Sequence, residues 1–285
     1  MSLRKSITEK FNKSDETVTQ ELHKYYFRSS VILSSISFVL LALSIIFFGN
    51  VNQMSFISPF FVIVTSVINL IIAGIILLLY LKKCNSISMD SNKKIYNIYD
   101  IVTFVLETIM IISFITVYLF TPTVVVGNSM ENTYYDGDRV IIWNLGYTPK
   151  ADDVVVVDTT GYGHTDGSMF IKRVIATSGD LVTYTSTGKD TGDLYVNNEL
   201  VISDLREYKY EILISYSKEN EKKESILDEN SKVILGYSIV IGDNRSNSID
   251  SRDIGAISND DILGKAIFRF YSRYSKIGNP DKDIK

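Results

Sequence analysis

Two residues of this chain could form a proton-transfer pair. Ser129 lies in "VVVGNSMENTYYDGDRVIIWN" (124–144), and a serine hydroxyl becomes a nucleophile only beside a group that takes its proton. His164 is one candidate base, but it sits in the glycine-rich "GYGHTDG" (161–167), a turn that offers a base little support. Lys172, in "MFIKRVIA" (169–176), is the other. Lysine normally titrates near 10.4, so it serves as a base only when desolvation or neighbouring groups bring it well below that. A lysine inside an apolar strand meets the condition. Successive strand residues point to opposite faces, so one of Lys172 and Arg173 faces in and the other out. An inward Lys172 calls for either a catalytic role or a structural ion pair, and the pattern leaves both open.

Other chemistries find little support. There is no G-x-S-x-G elbow and no H-E-x-x-H, and "GYGHTDG" lacks the spacing of a phosphate-binding loop, reading instead as a turn between strands. The S-x-x-K pattern occurs at Ser2–Lys5, Ser91–Lys94 and Ser215–Lys218, each in polar surroundings, whereas Ser129 has Asn132 at the lysine position. The two histidines, His23 and His164, are far apart, and Cys84 is the single cysteine. That argues against a histidine or cysteine metal site and excludes an internal disulfide, so neither metal nor cofactor is expected. A net charge of −4 gives no reason to expect a nucleic-acid partner. Asp136/Asp138 and Asp152/Asp153 lie in turn-like sequence and read as solvated carboxylates.

The elements that would position the pair fall into two halves. "VILSSISFVLLALSIIFF" (31–48), "FISPFFVIVTSVINLIIAGIILLLYL" (56–81) and the run over 101–121 are long, apolar and almost uncharged. A helix of about 20 such residues crosses a bilayer core, so residues 1–121 are expected to form a membrane region with three transmembrane helices. The first run exceeds the usual apolar length of a cleaved signal and ends in "FFGN", so it reads as a retained span. Lys and Arg mark the cytoplasmic side. They occupy the N-terminal tail (Arg4, Lys5, Lys10, Lys13, Lys24, Arg28) and the loop after the second run (Lys82, Lys83, Lys93, Lys94), and none lies in "GNVNQMS". An odd number of spans then puts residues 122–285 outside. Glu107, the lone acid within the spans, reads as packed against a neighbour or snorkelling, with a functional role as the alternative.

Residues 122–285 read as a mostly β domain. "RVIIWN", "DVVVVDT", "MFIKRVIAT", "DLVTYTST", "LYVNNELVI", "VILGYSIVIGD" and "KAIFRFYS" are β-branched and aromatic runs punctuated by Gly, Asp and Asn. The charge-rich "SKENEKKESILDENSK" (217–232) reads as a solvated loop or exposed hairpin.

Three boxes, "GNSMENTYYDGDRVIIWN", "FIKRVIATSGD" and "IGDNRSNSIDSRDIGAIS", occur in this order. Together they resemble those of the bacterial type I signal peptidases, over about residues 122–272. The resemblance implies a mostly β catalytic domain with a Ser–Lys dyad and no cofactor. Ser129 would be the nucleophile, followed by Met130, and Lys172 the general base. Ser248 would hydrogen-bond the lysine ammonium, and Asp250 and Arg252 would support the site. His164 then recedes as a base. The substrates implied are signal peptides of secretory preproteins, cut at the outer face of a bacterial cell membrane. Ser129 stands nine residues past Phe120, a reach of at most ~30 Å, which suits a bond just beyond an apolar segment. Membrane lipid is thus a second partner. Tyr134, Tyr135 and Trp143 read either as anchors in the bilayer interface or as ordinary core aromatics.

The chain departs from the resemblance in places. Asn132 and Tyr134 stand where proline and leucine are usual, which would reshape the substrate cleft. Gly127 replaces a serine that in some members helps stabilise the oxyanion, leaving the Ser129 backbone N–H as one donor. Three spans replace the one or two of many relatives. Alternative readings are a peptidase dedicated to a few surface or pilin-like proteins, a self-cleaving repressor-like peptidase, which the spans argue against, and a membrane-anchored β domain that only binds partners.

Overall fold

The structure is a computed structural model that describes residues 15–46, 59–81, 89–162, 168–218 and 224–280. The chain divides into two units, Met1–Tyr118 and Leu119–Lys285.

In the first unit the apolar runs form helices α1 (Asp15–Ile46), α2 (Pro59–Leu81) and α3 (Met89–Phe114), and a π-helical turn, Ile115–Leu119, follows α3. Among the described residues two stretches, Phe27–Ile46 and Ile101–Leu119, are long and apolar enough to cross a membrane. The run expected as a second span coincides with α2, whose apolar stretch among the described residues is the shorter Phe60–Ile75. Large apolar side chains such as Phe38, Ile46 and Ile101 point outward, while Ser37, Ser66 and Asn69 are buried. Ser37 Oγ and Asn69 Nδ2 both reach the sulfur of Met110, at 3.7 and 3.3 Å. An apolar exterior around small and polar interior contacts is how helices associate in lipid. Glu107 is half-buried on α3.

The second unit is built on a seven-stranded antiparallel sheet. Its strands are β1 (Phe120–Val124), β2 (Arg139–Trp143), β3 (Val154–Asp158), β4 (Met169–Thr177), β10 (Tyr237–Ile241), β11 (Ile257–Ser258) and β12 (Ile262–Tyr271). They run in the order β1-β2-β12-β3-β4-β10-β11. A smaller sheet joins β5 (Val182–Ser186), β6 (Thr191–Val196) and β7 (Glu199–Arg206), and β8 (Ser215–Tyr216) pairs with β9 (Glu224–Ser225). Two short helices complete the unit, α4 (Glu207–Leu213) and α5 (Ser251–Ile254).

The central strands are buried on both faces, which explains their near-continuous apolar sequence. Ile175, Ile239 and Ile241 pack with Leu194, Leu213 and Ile226 in one core, while Val174 and Val240 join Val155, Val157 and Tyr162 in another. "LYVNNELVI" is two strands rather than one. Asn197 and Asn198 take positive φ of 50° and 67°, the paired left-handed geometry of a two-residue hairpin turn that asparagine tolerates. The first strand, β1, begins at Phe120, where the sequence suggested that a span was still ending. Between β3 and β4, Tyr162 is fully buried, and His164 lies outside the described residues.

Candidate active site

Ser129 sits in the long connection between β1 and β2. Paired backbone bonds close the base of this loop, from Val125 N–H to Asp138 O (2.8 Å) and from Gly137 N–H to Val125 O (2.9 Å). At its tip the Met130 carbonyl accepts from the amides of Thr133 (3.0 Å) and Tyr134 (2.8 Å), which winds a single tight turn. The Met130 and Tyr134 side chains are completely buried and pin the turn to the domain. Tyr134 is therefore a core aromatic and not an interfacial anchor. Ser129, at the head of the turn, remains partly accessible.

Lys172 lies in β4, on the same face as Val174, and is 3% exposed. Its Nζ is 2.8 Å from Ser129 Oγ and 3.0 Å from the Ile171 carbonyl, and it lies 4.8 Å from the centre of the Phe170 ring. Burial lowers the lysine to about 8, against the opposing pull of the Asp250 carboxylate. The neutral amine is thus populated near neutrality. Arg173, the neighbour that alternation sends to the other face, is not simply solvated. Its Nε and Nη2 fork onto Asp243 at 2.8 and 2.7 Å, and Nη1 reaches the Asp152 carbonyl at 2.7 Å.

The loop after β10 completes the site. Asn244 donates its backbone N–H to the Ser129 carbonyl (3.0 Å) and its side-chain amide to the Asn128 carbonyl (3.0 Å). Gly242 permits this approach, because a Cβ there would lie 2.5 Å from the Ser129 carbonyl oxygen and 2.2 Å from Ser248 Oγ. Asp250 is fully buried, takes a two-bond fork from Arg252 (2.8 and 2.8 Å) and accepts the Gly242 amide at 3.0 Å. Burial pushes the Asp250 carboxyl up, but the Arg252 bonds and charge outweigh it and leave the group below its ordinary range.

The resemblance implied a bond from Ser248 to the lysine ammonium, and the structure does not form it. Lys172 bonds to Ser129 and Ile171. Ser248 Oγ is instead buried against the bare Cα of Gly242, beside the Asp250 carboxylate that it helps to hold below its ordinary range.

Two other departures have backbone causes. Asn132 adopts φ 84°, which proline, locked near −65°, could not. Gly127 also has φ 84°, and its amide donates to Asp136 Oδ1 at 2.8 Å. A serine at that position would be strained. The Ser129 amide has no acceptor among the described residues. No cluster of potential metal-ligating side chains occurs among the described residues.

A loop-borne serine against a buried lysine, backed by a loop of the sequence "GDNRSNSIDSR", sits within a region that matches a known family. The family model for signal peptidase, peptidase S26, covers residues 98–271. The chain belongs to this family. Signal peptidase IB of Staphylococcus aureus strain Mu50 is 29% identical over 171 residues, spanning 58% of this chain and 85% of the relative. The chloroplastic thylakoidal processing peptidase 1 of Arabidopsis thaliana is 29% identical over 163 residues, spanning 54% of this chain and 42% of that protein. A crystal structure of a signal peptidase I from Enterococcus faecalis V583 is 23% identical and covers 42% of this chain and 97% of that one, with a TM-score of 0.26.

Several positions in this S26 chain escaped the sequence reading. Asp138 and Asp153, expected in water, are both buried. Asp138 pairs with Arg269 at 3.3 Å, and Asp153 receives Tyr147 Oη (2.7 Å) and pairs with Lys265. Arg269, 3% exposed in β12, donates to the Thr133 carbonyl at 2.7 Å and to Lys276 O at 2.8 and 3.1 Å. The available signal was an arginine interrupting the apolar "KAIFRFYS". Asn244 and Gly242 carried none beyond their place in the third box, because a close backbone approach leaves no trace in residue chemistry.

Proposed function

We propose that this chain removes signal peptides from exported preproteins, with Ser129 as nucleophile and Lys172 as general base. One observation carries the reading: a serine hydroxyl lies 2.8 Å from a lysine that is buried and lowered to about 8. Neutral Lys172 takes the Ser129 proton as Oγ attacks the scissile carbonyl. Charge develops on the carbonyl oxygen, where the Ser129 N–H can donate. The lysine then passes its proton to the departing amine, which is the new N-terminus of the mature protein. An ester joins Ser129 to the last residue of the signal peptide. Water, deprotonated by Lys172, attacks that ester and frees the carboxylate. The Arg252–Asp250 fork and the Asn244 amide position the two reacting groups without touching substrate. No cofactor enters these steps.

For the membrane half, we read α1, α2 and α3 as three spans, with the N-terminal tail and the lysine-bearing segment 82–94 cytoplasmic and the β domain extracytoplasmic. The lysines and arginines of those segments support this orientation. A narrower substrate range, such as a few surface or pilin-like proteins, is the second reading. Its support is Asn132, whose backbone differs from that of proline beside the nucleophile. The test is incubation of the full-length protein in detergent with a secretory preprotein, reading the products by mass. A single cut after a small residue beyond the apolar segment supports the general role. Intact preproteins alongside cleaved surface-protein precursors would support the narrower one.

A further inference from the structure

After β12 the chain turns back, and the returning segment reaches the loop that carries Ser129. Ser272 Oγ accepts the amides of Tyr274 (3.2 Å) and Ser275 (3.1 Å), a local turn that serine favours. The chain then runs beside β12. Arg269 N–H donates to Gly278 O at 2.7 Å, and Gly278 N–H donates to Arg269 O at 2.9 Å. Gly278 takes φ 148° there, backbone that favours glycine.

Two contacts carry this hook to the nucleophile turn. The Lys276 carbonyl accepts Nη2 (2.8 Å) and Nε (3.1 Å) of the buried Arg269. The same guanidinium donates Nη1–H to the Thr133 carbonyl at 2.7 Å and lies 5.7 Å from the centre of the Tyr134 ring. Separately, the Tyr274 ring lies 5.4 Å from that of Tyr135, tilted by 47°. Thr133, Tyr134 and Tyr135 are consecutive, and the first two bond through their amides to the carbonyl of Met130, the residue after Ser129. Thr133 is held by its hydroxyl as well, which donates to Asp243. Asp243 takes the fork from Arg173, the residue after Lys172. Thr133 is thus the joint where the hook, through Arg269, meets the lysine strand, through Asp243. A shift of the Thr133 backbone moves Met130 and the Ser129 hydroxyl, while Lys172 stays in its strand.

We propose that residues 272–279 are a positioning element for the cleavage reaction, setting the Ser129 hydroxyl against Lys172 through Arg269 and Tyr135. This rests on the peptidase reading above. The test uses the full-length protein in detergent and one secretory preprotein, with kcat and KM measured well below each variant's thermal midpoint. Gly278→Pro removes one of the paired N–H groups, and proline cannot take φ 148°. A Cβ there meets nothing within 4 Å, so crowding adds nothing. The variant is expected to lose about tenfold in kcat, on a scale where a displacement of about 1 Å costs roughly 10²-fold. Its KM should stay within about twofold of wild type, because the hook acts on the chemical step. Tyr274→Ala should lower kcat by about threefold, the scale of one ring pair. Tyr274→Phe keeps the ring and should match the wild type, and this pair decides if Gly278→Pro does not fold. Wild-type kcat in Gly278→Pro, a raised KM at unchanged kcat, or no difference between the two Tyr274 variants overturns the proposal and leaves the peptidase reading intact. A wild type that cuts no preprotein overturns both.

Discussion

Arg269 in β12 donates Nη1–H to the carbonyl of Thr133 at 2.7 Å. A strand close to the C-terminus thereby holds the turn that carries Ser129, more than a hundred residues earlier. The same guanidinium pairs with Asp138, which is completely buried. Replacing Arg269 with Gln would leave that carboxylate without its cation, a loss of about 3 kcal/mol or more. The expected outcome is a lower thermal midpoint, followed through the fluorescence of Trp143, the single tryptophan. Adding Asp138→Asn should recover part of the loss, since it removes the stranded charge. Additive losses in the double variant would contradict this coupling.

Gly242 should tolerate no side chain. An alanine Cβ would stand 2.5 Å from the Ser129 carbonyl and 2.2 Å from Ser248 Oγ, so the nucleophile turn must move. A displacement of about 1 Å near reacting atoms costs roughly 10²-fold in rate. Gly242→Ala is therefore expected to lower kcat on this scale, measured by preprotein cleavage under saturating substrate.

Activity should depend on pH through Lys172. The base works as the neutral amine, so kcat/KM is expected to rise with pH and level off above an ionisation at about 8. The Asp250 carboxylate opposes the effect of burial by favouring the ammonium. Asp250→Asn should therefore move the inflection to lower pH even as it lowers the plateau. An inflection that stays fixed would show that the titrating group is not this lysine.

Acid should loosen the site. Burial pushes the Asp243 carboxyl up, but bonds from Arg173 and Thr133 outweigh it and leave the group below its ordinary range. Asp250 is depressed as well. A carboxyl depressed in the folded state contributes stability that is fully present above its unfolded value, near 3.9, and is lost as pH falls through the folded value. Thermal midpoints should hold from neutrality to about pH 5 and fall below about pH 4. Asp243→Asn should flatten that fall while lowering the neutral-pH midpoint.

The legibility of this fold follows from the range of its interactions. β4 coincides with "MFIKRVIAT" because a strand buried on both faces writes a continuous apolar run, and Lys172 stands out against it. The β6–β7 hairpin was hidden because its turn rests on two asparagines in left-handed conformation, where glycine would have announced it. Asp138 and Asp153 read as turn residues since their partners, Arg269 and Lys265, arrive from a strand over a hundred residues away. Ser129 and Lys172 were recognisable by type, but the 2.8 Å between them depends on Asn244, Gly242 and Arg269, whose contributions are backbone contacts. The Ser248 bond was inferred from resemblance alone, and the packing around Gly242 leaves that hydroxyl elsewhere.

The most direct test of the dyad is preprotein cleavage by the full-length protein beside Ser129→Ala, Lys172→Ala and His164→Ala. Loss of a nucleophile or its base leaves only the residual rate of binding and oxyanion stabilisation, so each dyad variant should fall by about 10³-fold or more. His164→Ala should cleave at the wild-type rate. An active Lys172→Ala alongside an inactive His164→Ala would contradict the account and assign the proton to the histidine.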